Sequence, residues 1–161
     1  MVKIGLKFQA TLENIEELNP TDPNFRWGLK LKCSNCNEST DKWHYLSLNE
    51  EVPAPHGKDI HHLVCKCKLC SRVNTVTIIK DSIKKYTAED TEKFKTIAVF
   101  DCRGLEPTEF SPGDGWVVKT IENGTEFEDV DLSDLPWADY CDKVKKPVSV
   151  DDIRYEFEKV K

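Results

Sequence analysis

Four of the seven cysteines form two pairs with the same spacing. Cys33 and Cys36 are separated by two residues, and after thirty intervening residues Cys67 and Cys70 repeat the pattern. Two residues between cysteines let the backbone form a tight turn, here called a knuckle, that directs both sulfurs at one centre. Two knuckles can therefore supply the four thiolates of a tetrahedral site. The sequence predicts one zinc ion held by Cys33, Cys36, Cys67 and Cys70.

Zinc is favoured over iron at this site. A rubredoxin-like iron site has a similar layout but usually carries glycine after the knuckle cysteines and proline inside one knuckle, whereas Asn37 and Ser71 follow the knuckles here. A thioredoxin-type dithiol is disfavoured because that motif opens a helix, and these pairs are expected at strand ends. A closed four-cysteine site leaves no position for water or substrate, so we expect a structural ion that clamps two hairpins.

The other three cysteines are not assigned to the site. Cys65 lies two residues before Cys67 and is interpreted as a buried apolar filler, with an alternate-ligand role left open. Cys141 stands among acidic residues, which raise the pKa of a thiol and make it a poor nucleophile. Cys102, beside Arg103, is the better nucleophile candidate. The sequence contains no Gly-rich phosphate loop, nucleophile elbow or metalloprotease motif.

Four histidines, His44, His56, His61 and His62, lie near the knuckles in sequence. The adjacent pair His61 and His62 could bind a second metal or act as a base. The alternative is an exposed loop, because the segment 52–59 just upstream is rich in turn-forming residues.

Alternation of apolar and polar residues places the knuckles at the ends of β-strands. Period two runs through residues 2–12 and through 25–33, where the first knuckle begins. Helix signals are weak, although Thr87-Ala-Glu-Asp90 could cap a single turn. The chain is predicted to be all-β, or close to it. The other strand candidates are residues 73–79, 94–102, 116–121 and 153–157.

Two parts of the sequence resemble each other. In each, an alternating strand is followed by a polar stretch with proline, then by an apolar strand containing Trp27 or Trp116, and then by a turn. We interpret this as a decayed internal duplication in which only the first copy kept metal ligands; chance similarity is the alternative. The length fits one compact domain, residues 1–161, with a zinc-bearing half (1–86) and an acidic, metal-free half (87–161).

Charge is distributed unevenly along the chain. Residues 1–86 hold 13 basic and 10 acidic side chains, a net of +3, whereas residues 87–161 hold 10 and 19, a net of −9. Between Glu122 and Asp142 there are eight acidic residues and no basic ones. Such a segment repels phosphate, so nucleic-acid binding is not expected across the whole surface. The simplest interpretation is a solvated surface of uneven charge.

Neither a membrane span nor an export signal is predicted. No apolar run approaches the roughly 20 residues that cross a bilayer, and the first residues alternate with charge instead of forming a signal peptide. Cysteines in a chain without an export signal suggest thiols and metal rather than disulfides. We therefore expect a monomer in the cytosol, with the nucleus as an alternative, and no membrane partner.

Several longer strings carry a family resemblance: Ala10-Thr-Leu-Glu-Asn-Ile15, Phe25-Arg-Trp27, Lys32-Cys-Ser-Asn-Cys36, Ser39-Thr-Asp-Lys-Trp43, Cys67-Lys-Leu-Cys70, Ala88-Glu-Asp90, Phe94-Lys-Thr-Ile97 and Cys102-Arg-Gly-Leu-Glu-Pro107. With them the chain resembles the eukaryotic CXXC-motif-containing zinc-binding protein family over nearly its whole length. The resemblance implies one zinc held by the two cysteine pairs. It also implies a pseudo-barrel of folded β-sheet built from two similar halves, with a zinc-ribbon-like site in the first. Cys65 lies outside the family pattern, and the family brings no established reaction.

Three functions remain open. The favoured one is a non-enzymatic interaction module that binds another protein through exposed edge strands, the acidic second half, or both. A thiol-dependent reductase of the zinc-containing methionine sulfoxide reductase type would need Cys102 as its nucleophile, and no surrounding histidine and asparagine pattern supports it. A zinc-ribbon RNA binder would stack bases on Trp43 or Tyr45. Its basic residues would be Lys30, Lys32, Lys66, Lys68 and Arg72.

Overall fold

The computed structural model describes residues 2–21, 23–39, 41–53, 59–134 and 136–160, which fold almost entirely as β-strands. The strands before residue 90 are β1 (Val2–Glu13), β2 (Ile15–Pro20), β3 (Trp27–Cys33), β4 (His44–Leu46), β5 (Val52–Pro53), β6 (Ile60–His61), β7 (Leu63–Lys66), β8 (Val73–Ile78) and β9 (Tyr86–Thr87). Those after it are β10 (Lys95–Arg103), β11 (Leu105–Ser111), β12 (Trp116–Thr120), β13 (Glu126–Val130), β14 (Trp137–Cys141) and β15 (Lys146–Val160). Two short 3-10 turns are Lys80–Ser82 and Ala88–Asp90.

The strand order of the largest sheet is the same for the two parts of the chain when it is read from opposite edges. Its six strands lie in the order β14-β15-β1-β10-β8-β7, with β1 and β10 antiparallel at the centre. Exchanging β1 with β10, β15 with β8 and β14 with β7 gives the same order read from the other edge. Strands of one copy therefore complete the sheet of the other.

The smaller sheets follow the same exchange. One sheet has the order β11-β3-β4 and another the order β13-β12-β2-β9, so that β3 corresponds to β12, β2 to β11 and β4 to β13. The chain turns between the sheets at Asn14 (φ 55°) in the first copy and at Gly104 (φ 81°) in the second. The predicted all-β folded sheet of two similar halves is confirmed. A boundary at residue 86 stays a prediction.

An aromatic core fills the space enclosed by the sheets. Trp27 packs edge-on against Phe100, with ring centres 5.9 Å apart, and Trp116 stacks on Phe8 at 5.5 Å. Phe25 lies between the two tryptophans, 4.6 Å from Trp27 and 4.9 Å from Trp116. All five rings are buried. Such side chains bury a large apolar area each, so this cluster supports the fold independently of any metal.

Two strands occupy polar, proline-containing stretches in which the sequence did not predict strands. β2 and β11 pair with β12 and β3, far away in sequence. Pro20 is the last residue of β2, and Pro107 lies beside a register shift in β11. Both are positions at which a strand tolerates a missing N–H. Among the described residues, no helix has the length and apolar character that a membrane span requires.

Candidate metal centre

The two knuckles have the same backbone hydrogen bonds. In the first, the N–H of Cys33 donates to the carbonyl of Glu38 (2.9 Å) and the N–H of Asn37 donates to the carbonyl of Cys33 (2.8 Å). In the second, Cys67 donates to Arg72 and Ser71 donates to Cys67, both at 2.9 Å. Each knuckle continues an antiparallel strand, β3 or β7, so the cysteines are fixed by the sheets.

The residue after each second cysteine has a left-handed backbone. Asn37 has φ 64° and Ser71 has φ 63°. Glycine meets this requirement at no steric cost, and asparagine is the residue that most often replaces it. Each knuckle therefore forms without the glycine that usually follows the knuckle cysteines of a rubredoxin-like iron site.

The four predicted sulfur atoms form one cluster, with every ligand atom within 4.8 Å of the others. The Sγ atoms of Cys33 and Cys70 are 3.8 Å apart, and those of Cys36 and Cys67 are 3.5 Å apart. A regular tetrahedron with Zn–S bonds of about 2.3 Å has edges of about 3.8 Å. The donor set and these two spacings therefore fit a zinc ion.

Backbone N–H groups and mutual thiol contacts control the acidity of the cluster. The N–H of Cys36 donates to Cys33 and lowers the pKa of the Cys33 thiol to about 6. The N–H of Arg72 lowers the pKa of Cys70 in the same way. The N–H of Glu38 also lowers the pKa of Cys36, but burial and the neighbouring thiols outweigh it and raise that pKa to about 12. Four thiolates this close repel one another, and a divalent cation would offset that repulsion.

Asn74 and Gly104 support the centre, and neither residue was predicted from the sequence to do so. Asn74 on β8 is 1% exposed, and its Nδ2 donates to Cys33 Sγ at 3.6 Å. Gly104 leaves room for this amide, because a Cβ at that position would collide with Asn74 Oδ1. The only local signal was an asparagine among the apolar residues of the buried face of β8, Val76 and Ile78.

A cavity of about 470 Å³ opens beside the cluster and contains the fifth nearby thiol. Cys65 lines it together with Cys33, Cys67 and His44, but Cys65 is not a member of the four-thiol group. Burial raises the pKa of Cys65 and lowers the pKa of His44. Cys65 is half-buried and packs against the core, which agrees with the interpretation as an apolar filler.

The structure reverses the acidities that the sequence suggested for the Cys102 and Cys141 thiols. Cys102 is 2% exposed, and burial, with Asp101 and Glu106 adding to it, raises its pKa to about 12. Hydrogen bonds from Thr125 lower the pKa of Cys141 to about 7 despite its acidic neighbours. Side-chain burial and N–H donors determine these two pKa values. The sequence had suggested that charges on adjacent residues would determine them. Cys141 is fully buried, so neither thiol is an accessible nucleophile.

His61 and His62 are tied to β8 and do not lie in an exposed loop. The Nδ1 atom of His61, a buried residue, is 2.7 Å from Thr77 Oγ1, and the N–H of Ile78 donates to His62 Nδ1 at 2.9 Å. Burial lowers the pKa of His62. Within the described residues, the four cysteines form the candidate metal site, and it includes neither histidine. His56 lies outside the described residues.

Carboxylates partly neutralise the basic residues proposed for RNA binding. Lys30 Nζ lies 3.4 Å from Glu109, and Lys32 Nζ lies 3.4 Å from Glu106. The ammonium of Lys30 also covers the ring of Trp43, at 5.0 Å from its centre. A base would have to displace that cation to stack there. This arrangement lowers the net positive charge that the sequence suggested for the face.

Fold and site together define a β-protein with a closed centre of four cysteines. A family model described as "CXXC motif containing zinc binding protein, eukaryotic" matches residues 5–158, and the chain belongs to this zinc-binding family. The human CXXC motif containing zinc binding protein is 45% identical over 159 residues, covering 99% of each chain. A solved structure described as C1orf123 superposes with a TM-score of 0.93 at 45% identity, covering 98% of this chain and 99% of that one. A hypothetical protein from Plasmodium falciparum shares the fold (TM-score 0.89, 21% identity, 98% and 100% coverage).

Proposed function

We propose that this chain is a zinc-stabilised protein-interaction module. In this proposal, Cys33, Cys36, Cys67 and Cys70 hold one zinc ion as a structural clamp, and the protein acts by binding another protein, not by catalysing a reaction. It would do so as a monomer in the cytosol or nucleus. When bound, the zinc supplies a cross-link between two hairpins that are distant in sequence.

The closed set of four thiols is the observation that supports this proposal. All four donors lie within 4.8 Å of one another, so a tetrahedral ion would have its coordination positions filled by protein and none left for a substrate. The reductase alternative required Cys102 to attack a substrate, and this thiol is buried with a raised pKa. The proposal therefore assigns the thiols to stability and leaves recognition to the surface.

The first test compares Cys36→Ser with Cys65→Ser. Cys36→Ser removes a ligand, so we expect zinc content to fall from one ion per chain toward zero. The free energy of unfolding should decrease by roughly 3–4 kcal/mol, as for the loss of a cross-link over about thirty residues. Cys65→Ser should keep the zinc. Elemental analysis and denaturant unfolding measure both quantities. Equal zinc loss in the two variants, or an unchanged unfolding curve for Cys36→Ser, would refute the structural clamp.

The second test addresses the interaction role. Wild type and a chain with charge reversals in the 122–142 segment are compared for the proteins they capture, and methionine sulfoxide reduction is assayed in parallel with Cys102→Ser. We expect partners that depend on the acidic segment and no turnover by either protein. Identical captured proteins would remove the acidic segment as the interaction surface, and a reductase activity lost in Cys102→Ser would replace the module with an enzyme.

A further inference from the structure

Strand β14 forms an edge of the six-stranded sheet that no described strand covers. Its counterpart at the opposite edge, β7, has β5 from the 47–62 insertion packed close to it. In the second copy the corresponding connection, residues 131–136, is much shorter and contains no described strand. An edge of this kind presents unpaired backbone groups to which an extended segment can add.

The free hydrogen-bonding groups of this edge can be assigned from its pairing with β15. Tyr140 lies opposite Pro147, which has no N–H to donate and whose carbonyl accepts from Asn14 Nδ2 at 2.7 Å, so this pair is not hydrogen-bonded and the backbone of Tyr140 points away from β15. The N–H of Tyr140 instead donates to its neighbour's carboxylate, Asp139 Oδ1, at 2.6 Å. By the two-residue repeat of a strand, the backbone groups of Ala138 also face outward.

Side chains around this edge define what can bind to it. Tyr140 is 50% exposed, and nearby Trp137 packs on Phe127 of β13 with ring centres 5.5 Å apart, which brings the acidic β13 strand beside β14. Asp139 on β14 is exposed, and so are the β13 residues Glu126, Glu128 and Asp129. The edge therefore combines unpaired backbone groups, an exposed aromatic ring and negative charge.

We propose that the β14 edge binds an extended, lysine- and arginine-rich segment of a partner protein as an added strand. This inference rests on the proposed interaction function and names its partner class. The added backbone bonds to Ala138 and Tyr140, and its carbonyl replaces Asp139 as the acceptor for the Tyr140 N–H. The released Asp139 carboxylate and those of β13 then pair with the basic side chains. A phosphate backbone is repelled by the same charges.

The experiment uses a fluorescent decapeptide of alternating lysine and valine, measured by fluorescence anisotropy against the zinc-loaded full chain. Ala138→Pro removes one outward N–H without removing a bond to β15, and Ala138→Val is its control. Asp139→Lys/Glu128→Lys reverses charge at the edge. Asp81→Lys/Glu89→Lys makes the same charge change on the exposed 3-10 turns.

We expect the peptide to bind wild type and both controls, and each edge variant to lose about tenfold or more in affinity. The same peptide with two central valines replaced by proline should bind at least about tenfold more weakly. Hydrogen exchange should slow at the amides of Ala138 and Tyr140 when the peptide is bound. If Ala138→Pro proves unfolded by zinc content and melting, the charge-reversal pair and the exchange data decide the result.

Absence of binding, equal binding by edge and control variants, or equal binding of the proline peptide would overturn the inference. A concentration-dependent dimer that Asp139→Lys abolishes would also overturn it, because a second copy would then occupy the edge. The capture of cellular proteins could require the acidic segment while the peptide binds the edge variants and the wild type equally. In that case only this inference fails. If capture does not depend on that segment, the proposed interaction surface fails.

Discussion

Asn37 and Ser71 adopt the same left-handed backbone at the same place in the two knuckles. A third example follows the turn that begins at Cys141, where Lys145 has φ 56°. There, as in the first knuckle, backbone N–H groups two and three residues further on, from Lys143 and Val144, donate to the cysteine sulfur. At the scale of single residues, Cys141 therefore keeps the conformation of a knuckle whose second cysteine is replaced by valine.

Ser71→Val tests the conformational requirement of the knuckle. A β-branched residue is strongly disfavoured at φ 63°, so we expect a loss of about 1–2 kcal/mol in the free energy of unfolding and faster zinc release to a chelator. Ser71→Asn is the matched control, because Asn37 already occupies the equivalent position, and it should behave like wild type. Denaturant unfolding and chelator competition measure the two effects. Indistinguishable Val and Asn variants would show that the left-handed turn is not needed.

The ligand cysteines could be predicted from the sequence because a knuckle is a local structure set by two-residue spacing. Asn74 and the acidity of Cys141 could not, since both depend on neighbours that are distant in sequence. Asn74 reaches Cys33 only after β8 has paired with β7 and β10, and Cys141 receives the N–H of Thr125 across two turns. The same limit applies to Cys102, whose burial outweighs its basic neighbour in sequence.

At the scale of elements, the corner between β10 and β11 connects the fold to the metal centre. Gly104→Ala places a Cβ against Asn74 at a backbone angle that suits glycine. We expect unfolding to become easier by about 2 kcal/mol or more, from left-handed strain plus the displaced amide, together with weaker zinc retention. Asn14→Ala at the equivalent corner strains the backbone at residue 14 but causes no collision with Asn74. This variant should therefore leave zinc retention unchanged. Melting curves and chelator competition separate the two variants, and equal zinc retention in both would contradict the coupling.

The 3-10 turn at Ala88–Asp90 contains a carboxylate, that of Asp90, whose ionisation makes the stability of the fold depend on pH. Burial tends to raise the pKa of Asp90, but hydrogen bonds from the N–H and hydroxyl of Thr87 and from Lys95, each 2.9 Å long, outweigh it and hold that pKa below 3.8. A depressed carboxyl pKa stabilises the fold above the unfolded pKa, and this contribution disappears as the pH falls through the folded value. Asp90→Asn should therefore cost about 1 kcal/mol at pH 7 and much less near pH 3.

Urea unfolding of Asp90→Asn and wild type at each pH measures this difference. Both proteins lose zinc in acid, and the comparison at equal pH cancels that common effect. Glu89→Gln, an exposed neighbour, is the control and should show no change. A cost of Asp90→Asn that is the same at pH 7 and pH 3 would exclude the ionised cap.

Strand prediction succeeded where apolar alternation is long and failed where tertiary pairing decides. β1 and β3 were predicted because their apolar residues repeat every second position, and most of β8, β10 and β12 was predicted as further strand candidates. β2, β11, β13 and β14 were missed, since they are rich in acidic residues and one of their two faces is solvated. The acidic 122–142 segment lacks the apolar alternation that predicts a strand, yet it forms two edge strands, β13 and β14. They form because β12 and β15 are available to pair with them.

At the scale of the whole molecule, the first copy of the duplicated unit is predicted to need a metal ion for its stability. The second copy is stabilised by contacts within the chain. In the first copy four thiols join the two knuckles. In the second, Thr120 Oγ1 donates to the carbonyl of Thr125 (2.7 Å), and the Thr125 N–H donates to Cys141 Sγ (3.3 Å). The first hydrogen bond lies within the β12–β13 turn, and the second connects that turn to Cys141 without a cluster of four thiols. Removal of zinc should therefore loosen the two copies unequally.

Hydrogen exchange of the zinc-loaded and chelated protein measures that asymmetry. After chelation we expect amide protection to fall at least about tenfold in the hairpins 27–39 and 63–78, because mutually repelling thiols separate and the loop between them regains entropy. Residues 116–130 and 137–160 should keep their protection, since β15 pairs with β1 along most of its length and the aromatic core is shared. The Cys65→Ser protein, treated in the same way, should reproduce the wild-type pattern. A uniform loss of protection would mean that the ion stabilises the whole sheet cooperatively and that the two copies do not differ in their need for it.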